Sequence, residues 1–171
     1  MAPVTIRPAR PDDVARMREV EVAAGRPFAD VGMDEVARDE PPTAEALLAY
    51  VDAGLAWVAE DGAVVGFLLL ARHGADAHVH QVSVLPERRG ERIGRDLIDA
   101  AESAARDAGA TRLTLTTFAE VPWNAPYYRR LGFAVLPDDE LDDTLRGIRR
   151  AEAAHGLDRW PRVAMARPIE R

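Results

Sequence analysis

A chain of 171 residues can fill one hydrophobic core and is marginal for two. Its 47% hydrophobic and 30% charged residues suit a soluble globular protein rather than a disordered one. With 22 Lys and Arg against 29 Asp and Glu, the net charge of -7 argues against a general nucleic-acid binder, and the absence of cysteine excludes disulfides, thiolate metal sites and cysteine nucleophiles.

The pattern predicts a strand at residues 4–7, closed by Pro8 and Pro11. Asp12 or Asp13 then caps a helix with Val14, Met17, Val20 and Val22 on its apolar face. Over residues 25–42 the periodicity is lost and Pro27, Gly32, Pro41 and Pro42 intervene, which reads as a loop with short helical turns. Thr43 caps a second helix that turns Ala46, Leu47, Tyr50 and Val51 inward. Strands at residues 57–60 and 64–69 flank the hairpin composition Glu60-Asp61-Gly62, and a turn at His73-Gly74-Ala75-Asp76 leads into a strand over residues 77–85.

A helix over residues 93–108 follows, stopped by Gly109, with Ile93, Leu97, Ala101, Ala104, Ala105 and Ala108 at spacings of three and four. The next strand, residues 112–117, implies a crossover connection and parallel pairing with the strand before the helix. A short helix at 124–131 and a strand at 133–136 come next. Asp138 or Asp139 opens a helix reaching His155 with Leu141, Leu145 and Ile148 inward, and a strand at 162–167 ends the pattern. No repeat or low-complexity linker divides the chain, so a single domain over residues 1–171 is expected. The longest apolar run, Val64-Val65-Gly66-Phe67-Leu68-Leu69-Leu70-Ala71, is far shorter than the roughly 20 residues that span a bilayer, and the opening residues hold no apolar signal-peptide segment. A cytoplasmic protein without a membrane or nucleic-acid partner is the expectation.

The densest chemical signal is Val84-Leu85-Pro86-Glu87-Arg88-Arg89-Gly90-Glu91-Arg92-Ile93-Gly94, which runs from a strand into an amphipathic helix. The unpaired N–H groups of a helix's first turn favour an anion at its end. Gly90 and Gly94 let backbone approach that anion, while Arg88, Arg89, Arg92 and Arg95 can add charge, a composition suited to cradling a pyrophosphate. An ordinary strand, turn and helix with solvated arginines accounts for the same residues, because short glycine motifs are weakly specific. The segment is neither a Walker pattern nor a dinucleotide GxGxxG pattern. About 30 residues on stands Trp123-Asn124-Ala125-Pro126-Tyr127-Tyr128-Arg129-Arg130-Leu131-Gly132-Phe133.

These two segments, in this order, resemble the GNAT acyltransferases. That family's signature is Arg or Gln, two residues, Gly, one residue, then Gly or Ala, after a strand ending in Val-x-Pro; here it runs from Arg89 to Gly94, with Arg92 where the inner glycine is usual. The second segment is similar to the family's helix after the fifth strand, which ends in Leu-Gly-Phe. The resemblance implies an α/β GNAT fold, a mixed, mostly antiparallel sheet of six or seven strands flanked by helices with a splayed central parallel pair. It implies acetyl-CoA as cofactor, held by Val82, Val84, Arg88, Arg89, Gly90, Arg92, Ile93, Gly94, Arg95 and Asn124, the last on the pantetheine arm. Tyr128 matches the tyrosine that faces the departing sulfur, as general acid, and Tyr127 is expected to be the core aromatic of the pair.

For the general base, period-two alternation puts His78, His80, Val82 and Val84 on one strand face. Relatives often carry glutamate near these positions, whereas here His80, and His78 after it, offer a pKa near neutrality. Two histidines without a cysteine do not complete a zinc site, so no metal is expected. His73 and His155 read as surface or capping residues. Phe28, Met33, Glu35 and Trp123 are the candidates for the acceptor, since apolar surface beside carboxylates suits a cationic amine, although solvated surface also explains the acids. The expected reaction is direct transfer of acetyl to a primary amine on a small molecule. The alternatives are a protein amino terminus or lysine, a longer acyl group, and a regulatory acyl-CoA-binding module without turnover. Homodimers are common among similar proteins.

Overall fold

The computed structural model describes residues 3–171. The segments with strand periodicity form β1 (Thr5–Pro8), β2 (Ala56–Asp61), β3 (Ala63–His73), β4 (Asp76–Val84), β5 (Arg112–Phe118), β6 (Ala134–Leu136) and β7 (Arg162–Pro168). They join in the order β1-β2-β3-β4-β5-β7-β6, a mixed, mostly antiparallel sheet in which β4 and β5 run parallel. Helices α1 (Val14–Gly25), α2 (Asp34–Ala37), α3 (Ala44–Asp52), α4 (Ile93–Asp107), α5 (Ala125–Arg130) and α6 (Asp143–Ala154) occupy the connections. The β4-α4-β5 crossover is what makes that pair parallel. Packing divides the chain into two compact units, Met1–Ala71 with Val79–Ala104, and Arg72–His78 with Ala105–Arg171. Among the described residues no helix is long and apolar enough to cross a membrane.

In the first unit, Pro8 lies within β1, opposite Trp57, rather than closing it. β1 is an edge strand, where a missing N–H costs no ladder bond. Gly62, at φ 70°, turns the β2–β3 hairpin as its composition predicts. Helix α1 buries Val14, Met17 and Val20, but Val22 is 40% exposed and does not belong to the inner face. Glu21 takes that side instead, seven positions after Val14 and four after Met17. Residues 25–42 hold a 3-10 turn, Arg26–Val31, and the short α2. Thr43 caps α3 by accepting the Ala46 N–H at 3.1 Å; Leu47 is buried, whereas Ala46, expected inward, is exposed. A Cβ on Gly66 of β3 would lie 3.1 Å from the Ser83 carbonyl oxygen and 3.3 Å from both Ile93 and Val84. The absence of that atom is what lets the start of α4 and the end of β4 close on β3.

In the second unit, the parallel ladder pairs Asp76 with Arg112, Ala77 with Leu113 and His78 with Thr114. It goes no further, although β5 continues to Phe118 and pairs along its whole length with β7. Gly109, at φ 89°, ends α4: its N–H reaches the Arg106 carbonyl and the Ala110 N–H that of Ala105. Ala108 is exposed, and Ile98, outside the expected stripe, is fully buried. Helix α6 begins later than predicted. Residues 138–140 form a 3-10 turn, and Asp142 is the cap, accepting the Leu145 N–H at 2.8 Å. Leu141, Leu145 and Ala164 form a core with Leu136 and Ile148, as the spacing of Leu141, Leu145 and Ile148 required.

Candidate active site

The end of β4 is tied to β3 by the Leu85 N–H on the Val65 carbonyl at 2.9 Å. A 3-10 turn, Pro86–Arg88, follows, then Gly90 at φ 85° and Arg92 at φ 64°. Arg92 is the one non-glycine residue with positive φ among those described. The first bond of α4 runs from the Asp96 N–H to the Arg92 carbonyl at 3.0 Å, so the N–H groups of Ile93, Gly94 and Arg95 point out of the helix end. A Cβ on Gly90 would meet nothing within 4 Å, which leaves open space over this loop.

The four arginines do not contribute equally. Arg88, expected to face an anion, is bound to Glu91 at 2.6 and 2.9 Å and to Asp61 at 3.0 Å, so its charge is already neutralised. Arg95 lies 3.8 Å from Asp99 one turn on, an exposed pairing of little strength. Arg89 is an exposed residue, and partial desolvation draws its guanidinium below its usual range. The Arg92 residue is exposed.

On β4, His78 is only 3% exposed, and its Nδ1 shares a 2.8 Å hydrogen bond with Thr114 Oγ1 across the ladder. His80 is exposed, its ring stacked on Tyr50 of α3 at 5.6 Å and 19°. Val82 and Val84 are half-buried, and Ser83 between them is buried. Ser83 Oγ donates a hydrogen bond to Glu21 of α1. Burial pushes the Glu21 carboxyl above the ordinary range against the hydrogen bonds from Ser83 and Gln81, and the nearby Asp39 pushes the same way. Glu21 was not among the expected site residues. The signal was present in the spacing, since a carboxylate seven positions after Val14 must face inward with it.

In the second unit, Asn124 stands at the start of α5, its carbonyl accepting the Tyr128 N–H at 3.0 Å. Its side-chain Oδ1 is buried and has no hydrogen-bond partner. Such an orphaned acceptor is expensive unless a ligand donates to it. Tyr128, not Tyr127, is the core aromatic: it is buried edge-on against Phe133 at 5.9 Å, and Tyr127 is half-buried beside it at 5.4 Å. Gly132, at φ 92°, reverses the chain so that the Phe133 N–H returns to the Tyr128 carbonyl. Burial pushes the Tyr128 phenol well above its usual range, which keeps it protonated.

Of the acceptor candidates, Met33 is 2% exposed, a core residue rather than a contact. Phe28 and Trp123 are half-buried, and Glu35 is exposed in the first turn of α2.

The sequence profile of the Acetyltransferase (GNAT) family matches residues 19–133, well over half of the chain, and the chain belongs to that family. A GNAT family acetyltransferase from Brucella melitensis, solved with acetyl-CoA, is 33% identical over 77% of this chain and 82% of its own, with a TM-score of 0.55. N-acetylglutamate synthase from Neisseria gonorrhoeae, solved with coenzyme A and N-acetyl-glutamate, matches all of this chain at 20% identity and a TM-score of 0.75; this chain spans 36% of its length. The PaiA N-acetyltransferase from Thermoplasma acidophilum, solved with coenzyme A, is 17% identical over 98% of this chain and 99% of its own, with a TM-score of 0.69.

Proposed function

We propose that the protein moves the acetyl group of acetyl-CoA directly to a primary amine carried by a small molecule. The observation that carries this reading is the start of α4, where three N–H groups leave the helix beneath a loop held open by Gly90 and Arg92. Those amides, with Arg89 and Arg92, would hold the diphosphate. The residues fit the rest of the cofactor as well. The orphaned Asn124 Oδ1 offers an acceptor for an amide N–H of the pantetheine arm, and the backbone of residues 82–84 would take the arm or the acetyl oxygen.

Bound acetyl-CoA supplies a thioester already activated toward attack, so the protein needs no nucleophile of its own. What remains is to orient the amine, receive its proton and stabilise charge on oxygen and then on sulfur. Tyr128 is suited to the last task, because a phenol kept neutral by burial is a hydrogen-bond donor at every physiological pH. Of the histidines, His78 is engaged with Thr114 and shut off from solvent, while His80 is accessible.

In the first unit Ala23, Arg26, Pro27, Asp30, Pro86 and Glu87 line an open cleft of about 360 Å³, which would admit a small acceptor. An amine panel assayed for acetyl-CoA-dependent thiol release, run beside peptides with a free amino terminus or lysine, tests the acceptor. Preference for peptides would reverse the assignment. Tyr128→Phe should lower kcat by about 100-fold with coenzyme A affinity unchanged; equal turnover would remove Tyr128 from the role. If calorimetry showed no uptake of coenzyme A at millimolar concentration, the reading as a whole would fall.

A further inference from the structure

Glu21 occupies a position that the pitch of α1 assigns to the core, yet it is a carboxylate. It takes hydrogen bonds from Ser83 and Gln81, two residues of β4. Ser83 lies between Val82 and Val84, whose backbone, on the reading above, holds the acetyl end of the cofactor. The carboxylate therefore stands one hydrogen bond from the strand assigned to the thioester.

We propose that Glu21 is the base of the acetyl transfer: its carboxylate receives the incoming ammonium and takes a proton from it, leaving a neutral nitrogen to attack the thioester carbonyl. The proposal rests on the acetyltransferase reading and moves one role in it from β4 to α1. As the C–N bond forms, the carbonyl π electrons move to oxygen. Their return breaks the C–S bond, whose electron pair leaves on sulfur. The ammonium gives up two protons in all; one ends on the sulfur, and the other reaches solvent from Glu21.

A carboxylate of ordinary acidity is a poor base for an ammonium. Burial between α1 and β4 raises the proton affinity of Glu21 toward working pH, as does Asp39, the charged group facing it from the segment after α2. On its own helix, Arg18 is turned away, its Nε on the Pro42 carbonyl at 3.0 Å. On β4, His80 is turned to Tyr50.

The test uses the intact protein, acetyl-CoA, and as nucleophile both the best amine of the panel and water alone, with kcat followed through the pH range around neutrality. Glu21→Gln keeps the shape and can still accept from Ser83, and calorimetry of coenzyme A reports that the fold and cofactor site survive. It should bind coenzyme A as the parent does, lose about 100-fold in kcat, and show a residual rate that climbs with pH where the parent is level. Ser83→Ala removes a bond that favours the charged carboxylate, so its acidic limb should move to higher pH. His80→Ala should keep the acidic limb. Unaltered kcat and profile in Glu21→Gln, an unmoved limb in Ser83→Ala, or loss of the limb in His80→Ala instead would each overturn the role of Glu21 alone. A parent protein that takes up coenzyme A yet turns over neither the amines nor water would overturn the acetyltransferase reading, and Glu21 with it.

Discussion

Arg92 shows how much one backbone angle can say about a site. At φ 64° an L side chain meets its own carbonyl, a cost of about 1 kcal/mol that glycine avoids. The signature Arg89 to Gly94 usually carries glycine at this point, so the loop has kept its shape while changing the residue that suits it. Keeping the angle preserves the outward N–H groups of α4, and keeping arginine adds a cation to the loop. Arg92→Gly should therefore raise stability by up to about 1 kcal/mol, read as a rise in Tm of about 2 to 4 °C, and weaken coenzyme A in calorimetry. Lower stability in that variant would show that the loop draws on the side chain to hold its form. Tyr128 and Asn124 make the same point from the opposite side. Their residue types are plain in the sequence, but a buried phenol and an orphaned acceptor exist only because packing placed them so.

The elements are held at their junctions by polar contacts that periodicity does not reveal. Arg7 of β1 grips both oxygens of Asp13 at 2.8 and 2.9 Å and Glu60 of β2 at 2.8 Å, while Asp13 also accepts the Arg10 N–H at 2.7 Å. One guanidinium thereby joins two strands to the start of α1. The Arg7 guanidinium holds the Asp13 carboxyl below its usual range, so its stabilisation is complete above the ordinary aspartate value of about 3.9 and is lost as pH falls through the depressed one. Asp13→Asn should cost about 3 kcal/mol at neutral pH, and thermal melts should show the gap to the parent closing in acid. A gap independent of pH would assign the loss to packing. The cap of α6 teaches a related lesson: Asp138 and Asp139 are the expected caps, Asp142 has the same chemistry, and Leu141, by entering the core, leaves Asp142 as the one placed to accept the Leu145 N–H.

For the molecule as a whole, a net charge of -7 opposes the approach of a polyanionic cofactor, whereas the loop before α4 attracts it. The two act over different distances. At physiological salt, charges beyond about 8 Å are largely screened, so the near cations Arg89 and Arg92 should govern binding once the cofactor is seated. Coenzyme A affinity should therefore fall as salt is raised from low to high ionic strength; a rise would show that the overall charge dominates.

Periodicity alone determined where most strands and helices lie, because alternation and the three-to-four spacing follow directly from backbone geometry. The glycine-type loop and the Leu-Gly-Phe segment were equally legible, since their constraints are local: a left-handed turn and a helix end. Only the tertiary structure decided which polar groups lose their solvent. It sent Arg88 to Asp61, His78 to Thr114 and Met33 to the core, and it set Glu21 against Ser83, 62 positions away in the chain. Burial and pairing depend on what the rest of the chain brings near, and no window along the sequence contains that information.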